Sequence, residues 1–175
     1  MLFRSVVQPC ALVAFSFRYY YHSDVLNAID NIFPEAKSDQ GTRLDDALEI
    51  ANYELFTPAG GSRDQVTKTL VVLVSDKLND GKIAGIVGQL KFGGVTPVAI
   101  GVGSGVQRDD LLKVADGNHT FSVASFNDLI RVAEKVVKSA CEGEKFFYLL
   151  VIIGKSIHRM HKNIDVSFSG IFCLK

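Results

Sequence analysis

The strongest constraint on the fold is an uninterrupted apolar run from Thr69 to Ser75, which reads Thr-Leu-Val-Val-Leu-Val-Ser. A strand with one face in water alternates apolar and polar side chains, whereas a strand covered on both faces does not alternate. A second run of this character extends from Val95 to Val102. Because doubly covered strands usually belong to parallel sheets, the two runs predict a parallel sheet with helices on both faces.

Helical patterns alternate with these strands. A short third strand is predicted from His119 to Val123, and Ser125 with Asp128 resembles a capping box before the final helix. Strands are also expected over 10–16 and 17–22, with a helix over 25–33. This alternation with short loops predicts a doubly wound α/β sheet. Two further helices have their apolar positions at Leu44, Leu48, Ala51 and Leu55 and at Ile83, Val87 and Leu90. A short helix is predicted over 109–115. The final helix has its apolar face at Phe126, Leu129, Ile130, Ala133, Val137 and Ala140.

Composition narrows the class of protein. The chain has 175 residues with 19 basic and 19 acidic side chains, so it offers no long-range field to attract nucleic acid or an anionic membrane. The first 17 residues superficially look like a secretory signal, but Gln8 and Pro9 interrupt the apolar part and no small-residue cleavage site follows. The run from Phe146 to Ile153 is too short to cross a bilayer as a helix. We therefore expect no nucleic-acid partner and no membrane span.

Two polar residues are candidate metal ligands. Asp76 ends the most buried strand, and Thr42 opens the helix that follows Gly41. Ligands of open parallel sheets bind outside the carboxyl ends of the strands, where both side chains would lie if their loops share that edge. Carboxylate and hydroxyl oxygens suit Mg²⁺, Mn²⁺ or Ca²⁺ and do not suit zinc. The competing interpretation makes Thr42 a helix N-cap, with Asp45 three residues later, and Asp76 an ordinary turn residue.

Five segments of the chain form a recognisable series. They are Gly41-Thr-Arg-Leu-Asp-Asp-Ala-Leu48, Leu55-Phe-Thr-Pro-Ala-Gly-Gly-Ser-Arg63, Lys68-Thr-Leu-Val-Val-Leu-Val-Ser-Asp76, Val98-Ala-Ile-Gly-Val-Gly103 and Ser125-Phe-Asn-Asp-Leu129. In this order they resemble the von Willebrand factor type A domain.

The resemblance covers about Val6 to Cys141, and it implies a Rossmann-like, mostly parallel sheet flanked by helices. It also implies a metal-ion-dependent adhesion site, in which Thr42 and Asp76 match the metal-site threonine and aspartate. The ion in that family bridges the domain and a partner's carboxylate and is not a catalyst.

The chain departs from the family at the metal site. Family members begin with an apolar central strand that ends in Asp-x-Ser-x-Ser, and the chain resembles the family only from the second strand onward. We therefore expect the first strand and first helix to be missing and the metal site to be incomplete. Lys77 would also place a positive charge beside the cation. Asp165, Ser167 and Ser169 repeat the missing motif near the other terminus, which we interpret as coincidence in a short pattern.

The last part of the chain does not continue the alternation. We divide the chain into a partial domain over 1–143 and a C-terminal extension over 144–175 whose structure the sequence does not indicate. Gly154-Lys155-Ser156 has the end of a phosphate-binding loop, but Leu149 stands where its first glycine is needed. Cys141 matches the place of a closing disulfide in many extracellular members of the family. Cys10 or Cys173 would then be its partner, or the thiol stays free.

These observations favour a non-enzymatic adhesion or protein-binding module. The resemblance implies an extracellular location and matrix partners such as collagens or glycoproteins. Two alternatives remain. One is a small-molecule or nucleotide-binding α/β domain that uses the turn from Gly101 to Gly105, and the other is an inactive fragment of a larger matrix protein.

Overall fold

The computed structural model describes residues 23, 24, 27, 44–63, 66–78, 81–141 and 147–153. Ser23, Asp24 and Asn27 are helical, in agreement with a helix in this region. The strands expected over 10–16 and 17–22, and most of the helix expected over 25–33, lie outside the described residues.

The described strands form one parallel sheet. Its members are β1 (Thr67–Val74), β2 (Val95–Val102), β3 (Thr120–Val123) and β4 (Phe147–Ile153), and they lie side by side in the order β3-β2-β1-β4. At the centre of the sheet Val71 of β1 faces Val98 of β2 and Val151 of β4. The predicted parallel α/β sheet is confirmed, because all three strand pairs are parallel.

Four α-helices whose bounds are described accompany the sheet, besides the helical residues near Ser23. They are α1 (Leu44–Ile50), α2 (Ile83–Phe92), α3 (Arg108–Leu112) and α4 (Leu129–Cys141). The first predicted stripe, from Leu44 to Leu55, is not one regular helix: α1 continues into a π-helical turn over Ala51–Leu55, where Phe56 N–H donates to the carbonyl of Ala51 at 2.9 Å. Such wide turns accommodate an extra residue in the helical ladder.

The two faces of the sheet carry separate cores. One face packs against α1, α2 and α3, and the other packs against α4. Alternation along β1 divides its side chains between them, with Leu70, Val72 and Val74 on the first face and Val71 and Leu73 on the second. Double coverage of β1 is the physical reason why its sequence is continuously apolar.

The start of α4 differs from the predicted capping box. A short 3₁₀ turn over Phe126–Asp128 precedes the helix. Ser125 Oγ donates to the carboxylate of Asp128 at 2.7 Å, so the hydroxyl bonds to a side chain and not to the backbone N–H that a capping box requires. The two residues interact, as expected, but through different atoms.

The structure places part of the C-terminal extension in the sheet. Phe147–Ile153 pairs along β1, from Thr67 with Phe147 to Leu73 with Ile153. β1 is therefore an interior strand, with a neighbour on each edge. Sequence reasoning found the apolar run but did not assign it to the sheet. The division of the chain at residue 143 stays a prediction, whereas the strand beyond it is a structural element of the same sheet.

Proline in β4 tests this pairing. N–H groups of a strand point alternately to its two neighbours, so one of Leu150 and Val151 donates toward β1, and proline there removes the donor. We expect the more damaging of Leu150→Pro and Val151→Pro to lower the free energy of unfolding by about 2–3 kcal/mol, measured by urea denaturation. Lys82→Pro, at an exposed position with a φ of −75° just before α2, is the control. Three equal midpoints would show that β4 does not contribute to the folded sheet.

A glycine closes the π-helical turn. Thr57 Oγ1 donates to the carbonyl of Glu54 at 2.7 Å and accepts from the N–H of Gly60 at 3.2 Å, which folds Pro58–Gly60 back onto the helix end. A Cβ at Gly60 would overlap the carbonyl oxygen of Glu54 and would lie 2.5 Å from that of Leu55. Only a residue without a side chain fits against this backbone.

Alanine at two glycines should therefore have opposite effects on stability. Gly60→Ala forces the backbone apart and should lower the free energy of unfolding by about 1–3 kcal/mol. Gly85→Ala, in α2, meets no atom within 4 Å and should raise it by about 0.5–1 kcal/mol. Urea midpoints measure both changes. A Gly60→Ala protein as stable as the parent would contradict the close approach.

Candidate functional site

The carboxyl ends of the parallel strands define one edge of the sheet, which we call the rim. Ser75 and Asp76 follow β1 there, and the turn from Gly103 to Gly105 follows β2. A Cβ at Gly105 would lie 3.5 Å from the carbonyl oxygen of Ser75 and 4.0 Å from Oδ1 of Asp76, so the two loops are in contact. Gly103 has a φ of 86°, a left-handed conformation that suits glycine.

Asp76 lies at the rim, as predicted from its position after β1. Its side chain is exposed, and its Oδ1 accepts a hydrogen bond from the N–H of Lys77 at 2.8 Å. This is a local side-chain to backbone bond of the kind that aspartate makes in turns. The hydrogen bond from Lys77 therefore orients the carboxylate, which is exposed to solvent. This geometry fits an ordinary turn residue and also a ligand-binding residue.

Thr42 lies outside the described residues, so its distance from Asp76 stays a prediction. The helix that follows Thr42 is α1. Asp45, in the first turn of α1, lies against the loop after Asp76. A Cβ at Gly81 would be 3.2 Å from Oδ2 of Asp45. The beginning of α1 thus contacts the loop that follows Asp76. The proximity of Thr42 to Asp76 stays a prediction.

Ser75 is a rim residue that sequence reasoning did not single out. Among the residues that the structure describes, its Oγ is buried and has no hydrogen-bond partner. A buried hydroxyl without a partner costs about 1–3 kcal/mol, so a polar group that reached it would be stabilised there. The available signal was the Ser-Asp dipeptide at the end of a buried strand.

Among the described residues, Asp76 alone represents the predicted metal site. In the described part of the chain no three His, Cys, Asp or Glu side chains are grouped so that they could hold one. Mg²⁺ demands six oxygen ligands and Ca²⁺ takes six to eight, of which the described ligands predicted from the sequence supply only the Asp76 carboxylate. Lys77, which follows Asp76 directly, adds a cationic side chain to the same loop.

Gly101, near the end of β2, lies against protein side chains. A Cβ at Gly101 would lie 3.2 Å from both Leu111 and Val106, so this glycine allows α3 and its preceding loop to approach β2. The first turn of α3 carries Asp109 and Asp110, whose charges disfavour an anion at that helix end. These contacts count against the nucleotide-binding alternative.

A charge pair lies at the other end of α2, away from the rim. Lys91 Nζ donates to Oδ1 of Asp116 at 2.7 Å. This hydrogen bond lowers the pKa of Asp116 and the charge of Lys91 lowers it further; burial opposes this lowering, and the charge of His119 has the smallest effect, also a lowering. Because the folded-state pKa is below the unfolded one, the pair's stabilisation is present above the ordinary aspartate pKa and is lost as pH falls through the folded-state value.

The helices of the described residues include none that is long and apolar enough to cross a membrane.

Metal titration tests the rim directly. We expect Mg²⁺ and Mn²⁺ to bind weakly or not at all in calorimetry, because the described oxygens are too few. Asp76→Ala separates rim binding from adventitious binding, and Asp165→Asn tests whether the distant Asp-x-Ser-x-Ser sequence contributes ligands. Micromolar Mn²⁺ affinity that either substitution removes would contradict an incomplete site.

Comparison with known proteins identifies the family and several relatives. The family model for the von Willebrand factor type A domain matches residues 10–135. The collagen alpha-5(VI) chain of Mus musculus is 30% identical over 125 residues, which cover 71% of this chain and 4% of that protein. The chain thus spans a small part of this relative.

Solved structures of proximal thread matrix protein 1 from the mussel byssus are also similar. One has a TM-score of 0.59 at 33% identity and covers 68% of this chain and 29% of that one. A second structure, described as having a zinc occupied MIDAS motif, has a TM-score of 0.62 at 32% identity and covers 71% of this chain and 30% of that one. A structure from a different crystal form has a TM-score of 0.67 at 25% identity and covers 73% of this chain and 34% of that one.

Proposed function

Because the chain belongs to the von Willebrand factor type A family, we propose that it is a non-enzymatic module that binds extracellular-matrix proteins. The observation that carries the proposal is the family match together with relatives that are themselves matrix proteins, a collagen chain and a byssal thread protein. The rim supports it, since it presents the exposed Asp76 at the sheet edge where ligands of open α/β folds bind.

The partners that we propose are collagens or matrix glycoproteins, and the location is extracellular. Both follow from the relatives and not from a feature of the rim. The chain spans 4% of the collagen relative and about a third or less of the mussel protein chains, so what those whole proteins assemble with comes here only as a proposal.

We propose that Mg²⁺ or Mn²⁺ contributes little to binding. A metal ion in this family bridges the domain to a partner's carboxylate, and one mussel relative has zinc at the corresponding motif. In the described part of the chain no three His, Cys, Asp or Glu side chains are grouped so that they could hold an ion, which supports this proposal. The module that we propose therefore binds its partner through side chains of its own.

The two alternatives have less support. The turn from Gly101 to Gly105 contacts α3 and the Ser75-Asp76 loop, which leaves the nucleotide-binding alternative without a favourable observation. A fragment that lacks a central strand would leave neighbouring strand edges unpaired, whereas β4 pairs with the edge of β1 opposite β2.

Binding to matrix proteins tests the proposal. The purified chain is passed over immobilised fibrillar collagen and collagen VI, with serum albumin as the reference surface. We expect specific binding to a matrix surface, weakened about tenfold in Asp76→Ala, which corresponds to about 1.4 kcal/mol. Glu134→Ala, an exposed acidic residue on α4, is the matched control. Equal responses on collagen and albumin, or unchanged binding in Asp76→Ala, would contradict a matrix-binding rim.

A further inference from the structure

Two exposed aromatic side chains adjoin one glutamine on the surface formed by α1 and α2. Tyr53 lies in the π-helical turn after α1 and is 63% exposed, and Phe92 ends α2 and is 97% exposed. Tyr53 Oη donates to Oε1 of Gln89 at 3.0 Å, and Gln89 precedes Phe92 by three residues on α2. Because side chains three apart on a helix are neighbours, both rings adjoin Gln89. We call Tyr53, Gln89 and Phe92 the aromatic patch.

The exposed side of α2 leaves the patch open. Gly85 and Gly88 are exposed, and a Cβ at either position would meet no atom within 4 Å. Glycine in an exposed helix is locally unfavourable, but it allows another chain to approach the backbone closely. Burial of an aromatic ring is favourable, so a partner that covered Phe92 would be stabilised there.

Gln89 supplies hydrogen-bond donors within the patch. Its Oε1 accepts from Tyr53 Oη and also from Nδ2 of Asn52, at 3.1 Å. These two bonds use the oxygen and fix the orientation of the amide. The NH₂ group of Gln89 has two donors, and neither is bonded to a side chain in the described part of the chain. The patch thus combines two exposed aromatic rings with an amide that can donate to a carbonyl.

A polyproline II chain has the matching properties. It forms no internal hydrogen bonds, so its carbonyls are free to accept, and it rises about 3.1 Å per residue, which places prolines three apart about 9 Å from one another. Side chains three apart on a helix are about 5–6 Å apart, and Tyr53 reaches Gln89 only through its hydroxyl, which puts the two aromatic rings roughly 10 Å apart. Because polyproline II is already extended before it binds, covering a small patch costs it little entropy.

The charge beside the patch selects among proline-rich chains. Glu54 follows Tyr53 and is exposed, and its carboxylate forms no ion pair with the described residues. Lys91 precedes Phe92, but its ammonium is bonded to Asp116 at 2.7 Å. The charge that stays unneutralised there, among the described residues, is therefore the negative one, and a cationic side chain of the partner complements it.

We propose that the aromatic patch binds a single proline-rich segment in the polyproline II conformation, with Glu54 paired to an arginine or lysine of that segment. Tyr53 and Phe92 cover proline rings, and the amide of Gln89 donates to a backbone carbonyl. Phe92 ends α2 just before β2 begins, so the patch lies at the edge of the sheet opposite the rim. The inference rests neither on a ligand at the rim nor on the proposed matrix function.

A short polyproline peptide with an arginine at each end is the probe. It is titrated into the parent chain while backbone amide shifts are recorded by NMR, and a glycine-serine peptide of equal length with the same arginines is the comparison. We expect the polyproline peptide to shift the amides of Tyr53, Gln89 and Phe92 and to leave those of Asp76 and Gly105 in place. The glycine-serine peptide should shift none of them, because it is flexible and has no rings to cover the patch.

Two substitutions separate the rings from the charge. Phe92→Ser should weaken binding of the peptide about tenfold, because it removes one of the two aromatic contacts. Its matched control is Ile130→Ser, which changes an exposed apolar side chain of α4 and should leave the affinity unchanged. Glu54→Gln should weaken binding only about two- to threefold, since an exposed ion pair contributes little, and should remove the preference for arginine over glutamate at the peptide ends. Equal urea midpoints show that none of these changes unfolds the chain.

The same titrations identify the other possible occupants. Equal affinities of Phe92→Ser and Ile130→Ser, equal shifts with the glycine-serine peptide, or shifts centred on Asp76 would overturn the inference. Concentration-dependent shifts of the Phe92 amide without peptide would assign the patch to a second copy of the chain and would overturn it too. A triple-helical Gly-Pro-Pro peptide that binds the patch more tightly than the single chain would have the same meaning. Peptide binding at the patch without binding to immobilised collagen would support this inference and contradict only the proposed matrix function.

Discussion

The pairing of β1 on both of its edges is the constraint on which the rest of the described structure depends. β2 and β4 satisfy the backbone groups of β1, and helices cover its two faces, so its central side chains are almost fully buried. This arrangement fixes the direction of the neighbouring strands, since all pairs are parallel. Parallel direction in turn gathers the loops at one rim, and that is where Asp76 lies.

The sequence predicts a strand of the sheet well where both faces of that strand are buried. Val95–Val102 has the same bounds in the structure as in the prediction, because a doubly covered strand loses its apolar character abruptly at each end. The π-helical turn was not predictable, since Ala51 and Leu55 continue an ordinary helical stripe. β4 was recognised as apolar but not placed, because an apolar run shows that a strand is buried without showing which edge it joins.

The position of Asp76 at the rim was predictable, whereas its role as a ligand stays a prediction. Asp76 was found because residues at the carboxyl ends of parallel strands meet at one edge, which is a property of topology. Ser75 was missed because its importance depends on a hydroxyl that is buried without a partner, and burial of one oxygen atom leaves no pattern in a sequence. Thr42 lies outside the described residues, and its role as a ligand stays a prediction.

The pairing of β1 with β4 also has a kinetic meaning. Residues 67–73 of β1 pair with β4 residues that come 80 positions later in the chain, whereas the β2 partners of residues 68–74 come only 27 positions later. Closing the longer loop costs more chain entropy, so the β1–β2 pair is expected to assemble first and β4 to dock late. During that interval one edge of the most apolar strand is open to another chain. Folding at high concentration therefore brings a competition between intramolecular docking and association of copies.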